Sequence, residues 1–264
     1  MPNIHFTQSE WPRLDAQTGA YLRELAGKND GFHSAMMFGG TPYAIELDGE
    51  TLGFCSLADG WDGGKMCTAF YVVPERRRYC ADLLARLIED FSVTAALVAS
   101  NDGPFIAVAF EKMRALGTTF DLQAYNHLYG PPGRPPEFGR DRMQEVAPEE
   151  YETMNRLTQR QWDGCFDNPN FRFYVLREDG ETLGYGAIER LAHEPGKADI
   201  GNFTLPAHRR RGVGRSLLIH LAQIAIEQGL TPVAGCWYQN EASIPTLASS
   251  GFIPENRLFY VKFV

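Results

Sequence analysis

Apolar and polar positions change period several times along this chain, and each change marks an element. Leu14, Leu22 and Leu25 give a partial helical stripe over residues 9–25. Residues 43–47 and 51–57 flank Asp48-Gly49, which predicts a hairpin. A strand follows over 66–73, then a helix over 75–91 with Leu83, Leu84, Leu87 and Ile88 on one face. A strand over 94–99, a helix over 105–116 stopped at Gly117, and a strand over 118–125 complete the first half. Residues 130–136 read Gly-Pro-Pro-Gly-Arg-Pro-Pro and break every period, which predicts a stiff linker.

After that segment the order starts again. A strand over 141–146 and a helix over 148–162 lead to a hairpin, 171–177 and 182–190, around Asp179-Gly180. A strand over 198–205 ends at Pro206, which has no N–H to give to a ladder. Val213, Leu217, Leu221 and Ile224 then recur at helical spacing, widened by Leu218, Ala222 and Ala225 and closed near Gly229. A strand over 231–238, a helix over 240–250 and a strand over 257–263 finish the chain. The halves also share residues. Asp48-Gly-Glu-Thr-Leu-Gly-Phe54 matches Asp179-Gly-Glu-Thr-Leu-Gly-Tyr185, and Pro74–Arg78 matches Pro206–Arg211, each with three consecutive arginines. A repeat this long is a duplicated domain rather than a solenoid unit. The expected boundaries are 1–129, a linker at 130–137, and 138–264.

The turn at 206–216 carries the clearest chemistry. Gly212 and Gly214 stand at the start of a helix, where glycine is entropically costly and is useful only for close approach. The first N–H groups of that helix have no helical partner and sit at the positive end of its dipole. Arg209, Arg210, Arg211 and Arg215 add phosphate-matching donors in a chain that is otherwise acidic. Together they read as a cradle for a diphosphate. The turn lacks the Gly-Lys-Ser/Thr ending of a Walker loop and the G-x-G-x-x-G of a Rossmann turn. In the first half, alignment through the arginines puts Tyr79 and Ala81 where the glycines stand, which predicts a lost cradle there.

Arg209-x-x-Gly212-x-Gly214, with Pro206 before it, resembles motif A of the GNAT superfamily of acyl-CoA-dependent N-acyltransferases. Asn240 followed by Gly251-Phe252 is similar to that family's N-x(10)-G-F pattern. The resemblance covers nearly all of the second half in motif and order, and the first half in order. It implies two α/β domains in tandem, each a mixed, mostly antiparallel sheet flanked by helices. It implies an acetyl-CoA site built from Asn202, Phe203, Thr204, Arg209, Arg210, Arg211, Gly212, Val213, Gly214, Arg215, Ser216 and Asn240, and acetyl transfer to a small-molecule amine. The first half would shape the acceptor cleft. Asn240 also suits a helix N-cap, and the two roles are compatible.

Two family features are missing. Many members carry a tyrosine seven residues after the asparagine, as general acid to the leaving thiolate; that position is Leu247. Tyr238 and Ser243 are the nearby hydroxyls. Several members use a glutamate on the preceding strand, but Val233–Tyr238 has no carboxylate. Glu189 and Asp199 are the candidate bases. Cys236 is a candidate nucleophile or, without a partnered histidine, a buried structural thiol. A non-catalytic acyl-CoA-binding module and a protein N-acetyltransferase are the competing readings.

Composition narrows the class. At 264 residues and a net charge of −8, the chain has room for two modest domains and little attraction for nucleic acid. Five cysteines without a C-x-x-C pair suit a reducing compartment and no metal site. No signal-like N-terminus and no membrane-length apolar run are present, so a cytoplasmic protein is expected.

Overall fold

The computed structural model describes residues 4–263. The chain forms two compact units, Met1–Tyr125 with Asn256–Val264, and Asn126–Glu255. The expected second domain therefore gives its last nine residues to the first unit, and the expected linker lies inside the second.

In the first unit, β1 (Ile4–Gln8) leads through a 3-10 turn (Trp11–Leu14) to α1 (Asp15–Glu24) and α2 (Gly31–Phe38). The apolar period along the chain does not mark α2. Its start is legible in hindsight, because Asp30 accepts the His33 N–H at 2.9 Å as an N-cap. Strands β2 (Thr41–Leu47), β3 (Glu50–Asp59) and β4 (Lys65–Val72) form an antiparallel meander with β1. The predicted helix over 75–91 divides into a 3-10 segment, Pro74–Tyr79, and α3 (Cys80–Phe91). β5 (Val93–Ala99) pairs parallel to β4, α4 (Gly103–Leu116) follows, and β6 (Phe120–Tyr129) leaves the unit. The C-terminal strand β12 (Phe252–Lys262) lies antiparallel to β5, from Leu258↔Ala99 to Lys262↔Ala95. Leu83, Leu84 and Leu87 of α3 and Phe105 and Ala109 of α4 pack on one sheet face. Leu14, Tyr21, Leu25 and Met37 cover Phe54 and Tyr71 on another side.

The second unit repeats the plan. β7 (Met143–Glu145), α5 (Tyr151–Leu157), β8 (Phe171–Glu178), β9 (Glu181–Arg190), β10 (Lys197–Thr204), α6 (Val213–Glu227), β11 (Thr231–Trp237) and α7 (Ser243–Ser249) follow in order. The strands run β7-β8-β9-β10-β11, with β6 next to β11. β7–β8, β8–β9 and β9–β10 pair antiparallel, and β10–β11 pairs parallel. Each unit is thus a mixed, mostly antiparallel sheet flanked by helices. α5 is shorter than its apolar period predicts. The Thr158 hydroxyl donates back to the Met154 carbonyl at 2.8 Å, and Gln159 and Arg160 adopt left-handed backbone, so the helix stops at Leu157. α6 lies on β9 and β10, where a Cβ on Gly184 or Gly186 would press on Leu217 or Leu221. Trp162, Phe173 and Tyr185 pack together on the other face, with Phe203 and Leu205 against them.

Candidate active site

The pairing of β10 is uneven. Its antiparallel ladder with β9 runs the full length, to Asn202↔Gly186, Phe203↔Tyr185 and Thr204↔Gly184. Its parallel ladder with β11 stops at Asp199↔Val233. Among the described residues, β10 has no ladder partner on its β11 side from Ile200 to Thr204. Its backbone groups are available to an extended ligand lying as an added strand. Asn202, Phe203 and Thr204 are all half-buried on this open stretch. The Gln161 amide reaches the Asn202 carbonyl at 3.5 Å.

Past Thr204 the chain turns through Pro206–His208 into the basic segment. Arg210 takes a left-handed φ of 61° and Gly212 one of 81°. These reversals end the turn at the start of α6. Gly212 is the helix N-cap residue, and a side chain there would also meet Glu137 Cβ at 2.8 Å. Gly214 is buried for a different reason. A Cβ on it would lie 3.0 Å from Asn202 Nδ2, 3.1 Å from Thr246 Cγ2 and 3.2 Å from Thr204 Oγ1. The glycine therefore lets the first turn of α6 settle against the open end of β10 and against α7.

The basic side chains divide by commitment. Arg215 donates to the Pro135 carbonyl at 3.0 Å and to Glu137 at 2.6 Å. Arg211 donates to His208 Nδ1 at 2.9 Å and approaches Glu178 at 3.4 Å. Arg209 reaches only the Thr204 carbonyl, at 3.5 Å, and Arg210 is exposed and projects from the left-handed turn. The buried Ser216 hydroxyl accepts the N–H groups of Glu137 and Phe138, at 2.8 and 3.1 Å, and donates to Gly212 O. Ser216 is thereby occupied in holding residues 137–138 to α6. Val213 is buried at the head of α6, near Gly184.

On the opposite sheet face, Asp199 and Glu189 are direct cross-strand neighbours and share one side. They stand where the β10–β11 pairing ends. Burial raises the Glu189 carboxyl above its usual range. Asn240 caps the first turn of α7, its Oδ1 accepting the Ser243 N–H at 3.2 Å, and the residue is exposed. Tyr238 is 48% exposed and Ser243 half-buried. Leu247, at the position of the family's usual tyrosine, is buried. Cys236 is a buried free thiol, like Cys55, Cys67 and Cys80, and Cys165 is a half-buried one. Among the described residues no helix is long and apolar enough to cross a membrane.

The first unit has the same uneven pairing. β4 and β5 pair only from Lys65↔Val93 to Cys67↔Ala96. Its turn differs. Pro74–Tyr79 is a 3-10 helix that continues directly into α3, with no left-handed residue in it. The buried positions Cys80, Leu83, Leu84 and Leu87 match Gly214, Leu217, Leu218 and Leu221. By that register Pro74 precedes Cys80 by six positions, whereas Pro206 precedes Gly214 by eight. The turn is shorter, and Cys80, rather than Ala81, occupies the place of Gly214. Arg76 pairs with Glu50 at 2.6 Å, Arg77 with Glu24, and Arg78 lies over the Tyr79 ring.

Sequence comparisons give two family matches. Residues 137–252 match the model described as "Acetyltransferase (GNAT) family", and residues 13–125 one described as "Acetyltransferase (GNAT) domain". No curated protein matches. Among solved structures, a GNAT-family acetyltransferase from Colwellia psychrerythraea is similar at 18% identity and a TM-score of 0.78, over 99% of this chain and 100% of that one. A tandem GNAT protein from the clavulanic acid biosynthesis pathway is similar at 17% identity and a TM-score of 0.61, over 98% of each chain. A GCN5-related N-acetyltransferase from Sphaerobacter thermophilus is similar at 12% identity and 0.57, over 97% and 94%. At these identities the likeness is one of fold. With both halves matched by GNAT sequence models and the tandem arrangement shared, the chain belongs to the GNAT acetyltransferase family and carries two of its domains in tandem.

Proposed function

We propose that the second unit binds acetyl-CoA and transfers its acetyl group to the amine of a small molecule. The observation that carries this reading is that one strand joins two half-sites. β10 has an open edge from Ile200 to Thr204, and it runs straight into the cradle at the head of α6. A long ligand with an amide-bearing arm and a diphosphate fits that combination. The arm takes the backbone of Asn202, Phe203 and Thr204, and the diphosphate takes the N–H groups of α6 with Arg209.

Acetyl-CoA supplies the activated thioester; the remaining work belongs to the chain. An attacking amine must be neutral, so its ammonium proton has to be accepted. Glu189 and Asp199 stand together at the end of the parallel ladder and suit that task. The raised proton affinity of Glu189 brings it closer to the operating pH of a base. A free N–H on β10 suits the developing oxyanion. Tyr238 and Ser243, flanking Asn240, are the side chains able to protonate the leaving sulfur. The free thiols suit a reducing compartment such as the cytoplasm.

A non-catalytic acyl-CoA-binding module is the second reading, favoured by the buried Leu247 and by a β11 without a carboxylate. Thiol release from acetyl-CoA across a panel of amines separates the two. Amine-dependent release supports the transferase. Tight binding with no amine-dependent release supports the binding module.

A further inference from the structure

The segment between the repeats is built into the second unit as a strap. The Gly130 N–H donates to the Gly251 carbonyl at 2.7 Å. Pro135 and Glu137 are held by Arg215, Glu137 and Phe138 by Ser216, and the Phe138 carbonyl lies 2.7 Å from His220 Nε2. The strap thus runs across the head of α6. Between the two lies an open depression of about 430 Å³, lined by Arg134, Pro135, Glu137, Arg210, Gly212 and the flanking arginines. Its charges are unequally engaged. Glu137 neutralises Arg215, and Glu178 faces Arg211. Among the described residues Arg134 and Arg210 have no acidic partner, and both are exposed in the same depression.

Two unmatched guanidiniums beside a diphosphate cradle call for a further dianion. Coenzyme A has one. Its 3′-phosphate is a monoester on the ribose whose 5′ oxygen carries the diphosphate, so it lies one sugar away from the cradle. Guanidinium matches such a group with paired donors. Resting on the acetyl-CoA reading above, we propose that Arg134 on the strap, with Arg210, binds the 3′-phosphate and makes the segment between the repeats a determinant of cofactor specificity. Arg134 is supplied by neither the helix nor the strand of the cradle.

Titration calorimetry with coenzyme A and with dephospho-coenzyme A tests this on the full chain. Wild type is expected to prefer coenzyme A by about tenfold, an advantage that shrinks as salt is raised. Arg134→Gln is expected to weaken coenzyme A about threefold, leaving dephospho-coenzyme A unchanged, and Arg134→Lys to recover part of the loss. An equal loss for both ligands, no loss for either, or a wild type indifferent to the 3′-phosphate would overturn the proposal while leaving the cofactor reading intact. Failure of wild type to bind either ligand would overturn the cofactor reading and this one with it.

Discussion

The Tyr21 hydroxyl donates a 2.6 Å hydrogen bond to Asp102 Oδ2, and both residues are buried in the first unit. Asp102 follows β5 at the head of α4, where its Oδ1 caps the Phe105 N–H. In the second unit the corresponding place, after β11 and at the head of α7, belongs to Asn240, which is exposed. Where one repeat presents an open amide, the other has a tyrosine from α1 docked on a buried acid. The first repeat also has a shortened turn, and its arginines are engaged by Glu50, Glu24 and the Tyr79 ring.

The buried acid predicts a pH dependence. Burial raises Asp102 from 3.8 to about 6, although the Tyr21 hydrogen bond opposes the rise. A raised folded-state pKa means the folded unit binds the proton more tightly than the unfolded chain does. The resulting stability is present below about pH 4 and is lost as pH rises through about 6. A shift of this size corresponds to roughly 3 kcal/mol. Denaturant unfolding of wild type and Asp102→Asn between pH 4 and 8 should show the wild type losing stability relative to the variant. Parallel curves would contradict the account.

Tyr21→Phe removes the hydroxyl that donates to that acid and pushes its pKa further up. It should destabilise the first unit by about 1–3 kcal/mol. Acetyl-CoA affinity should be unchanged, because Tyr21 lies outside the cradle unit. Urea midpoints and calorimetry on one preparation check both halves of the statement.

Glu189→Gln tests the base. General bases contribute roughly 10²–10⁴-fold in rate, and removal should lower turnover far more than acetyl-CoA affinity. Activity should also fall on the acid side at a pH above the ordinary carboxylate range, since burial raises the Glu189 pKa and the base must be ionised. Asp199→Asn is the companion variant, because the two acids face each other. A pH profile unmoved by both variants would remove them from the mechanism. Tyr238→Phe and Ser243→Ala, each measured as steady-state turnover, test the proton donor by the same criterion; a loss under about tenfold in both would leave no side-chain acid at these positions.

The element order, both hairpins and the basic turn were legible in the sequence, since period and turn residues report local geometry. The GNAT resemblance was legible from Arg209-x-x-Gly212-x-Gly214, and the tandem arrangement from the match of Asp48–Phe54 with Asp179–Tyr185. The early end of α5 was not. It depends on Thr158 back-bonding and on two left-handed residues within an apolar pattern that continues to Trp162. The return of residues 256–264 to the first unit was equally hidden, because strand partnership over such a separation leaves no periodic trace. The proline-rich segment reads as a stiff linker, yet it is bonded to Arg215 and Ser216, read from the sequence as anion ligands, and to His220, which carried no sequence signal. Gly214 reads as space for an anion; the close packing of its Cβ position against Asn202, Thr204 and Thr246 had no sequence signal.

The most direct test of the central claim is the stoichiometry of acetyl-CoA binding by titration calorimetry, on wild type, Gly214→Ala and Tyr79→Glu. A methyl at Gly214 meets the Asn202, Thr246 and Thr204 side chains at 3.0–3.2 Å, and each must give by a few tenths of an ångström at the junction of β10 and α6. The account predicts one site per chain in wild type, about tenfold or greater loss of affinity in Gly214→Ala with the fold retained, and no change in Tyr79→Glu. Two equivalent sites per chain, or a loss in Tyr79→Glu equal to that in Gly214→Ala, would contradict it.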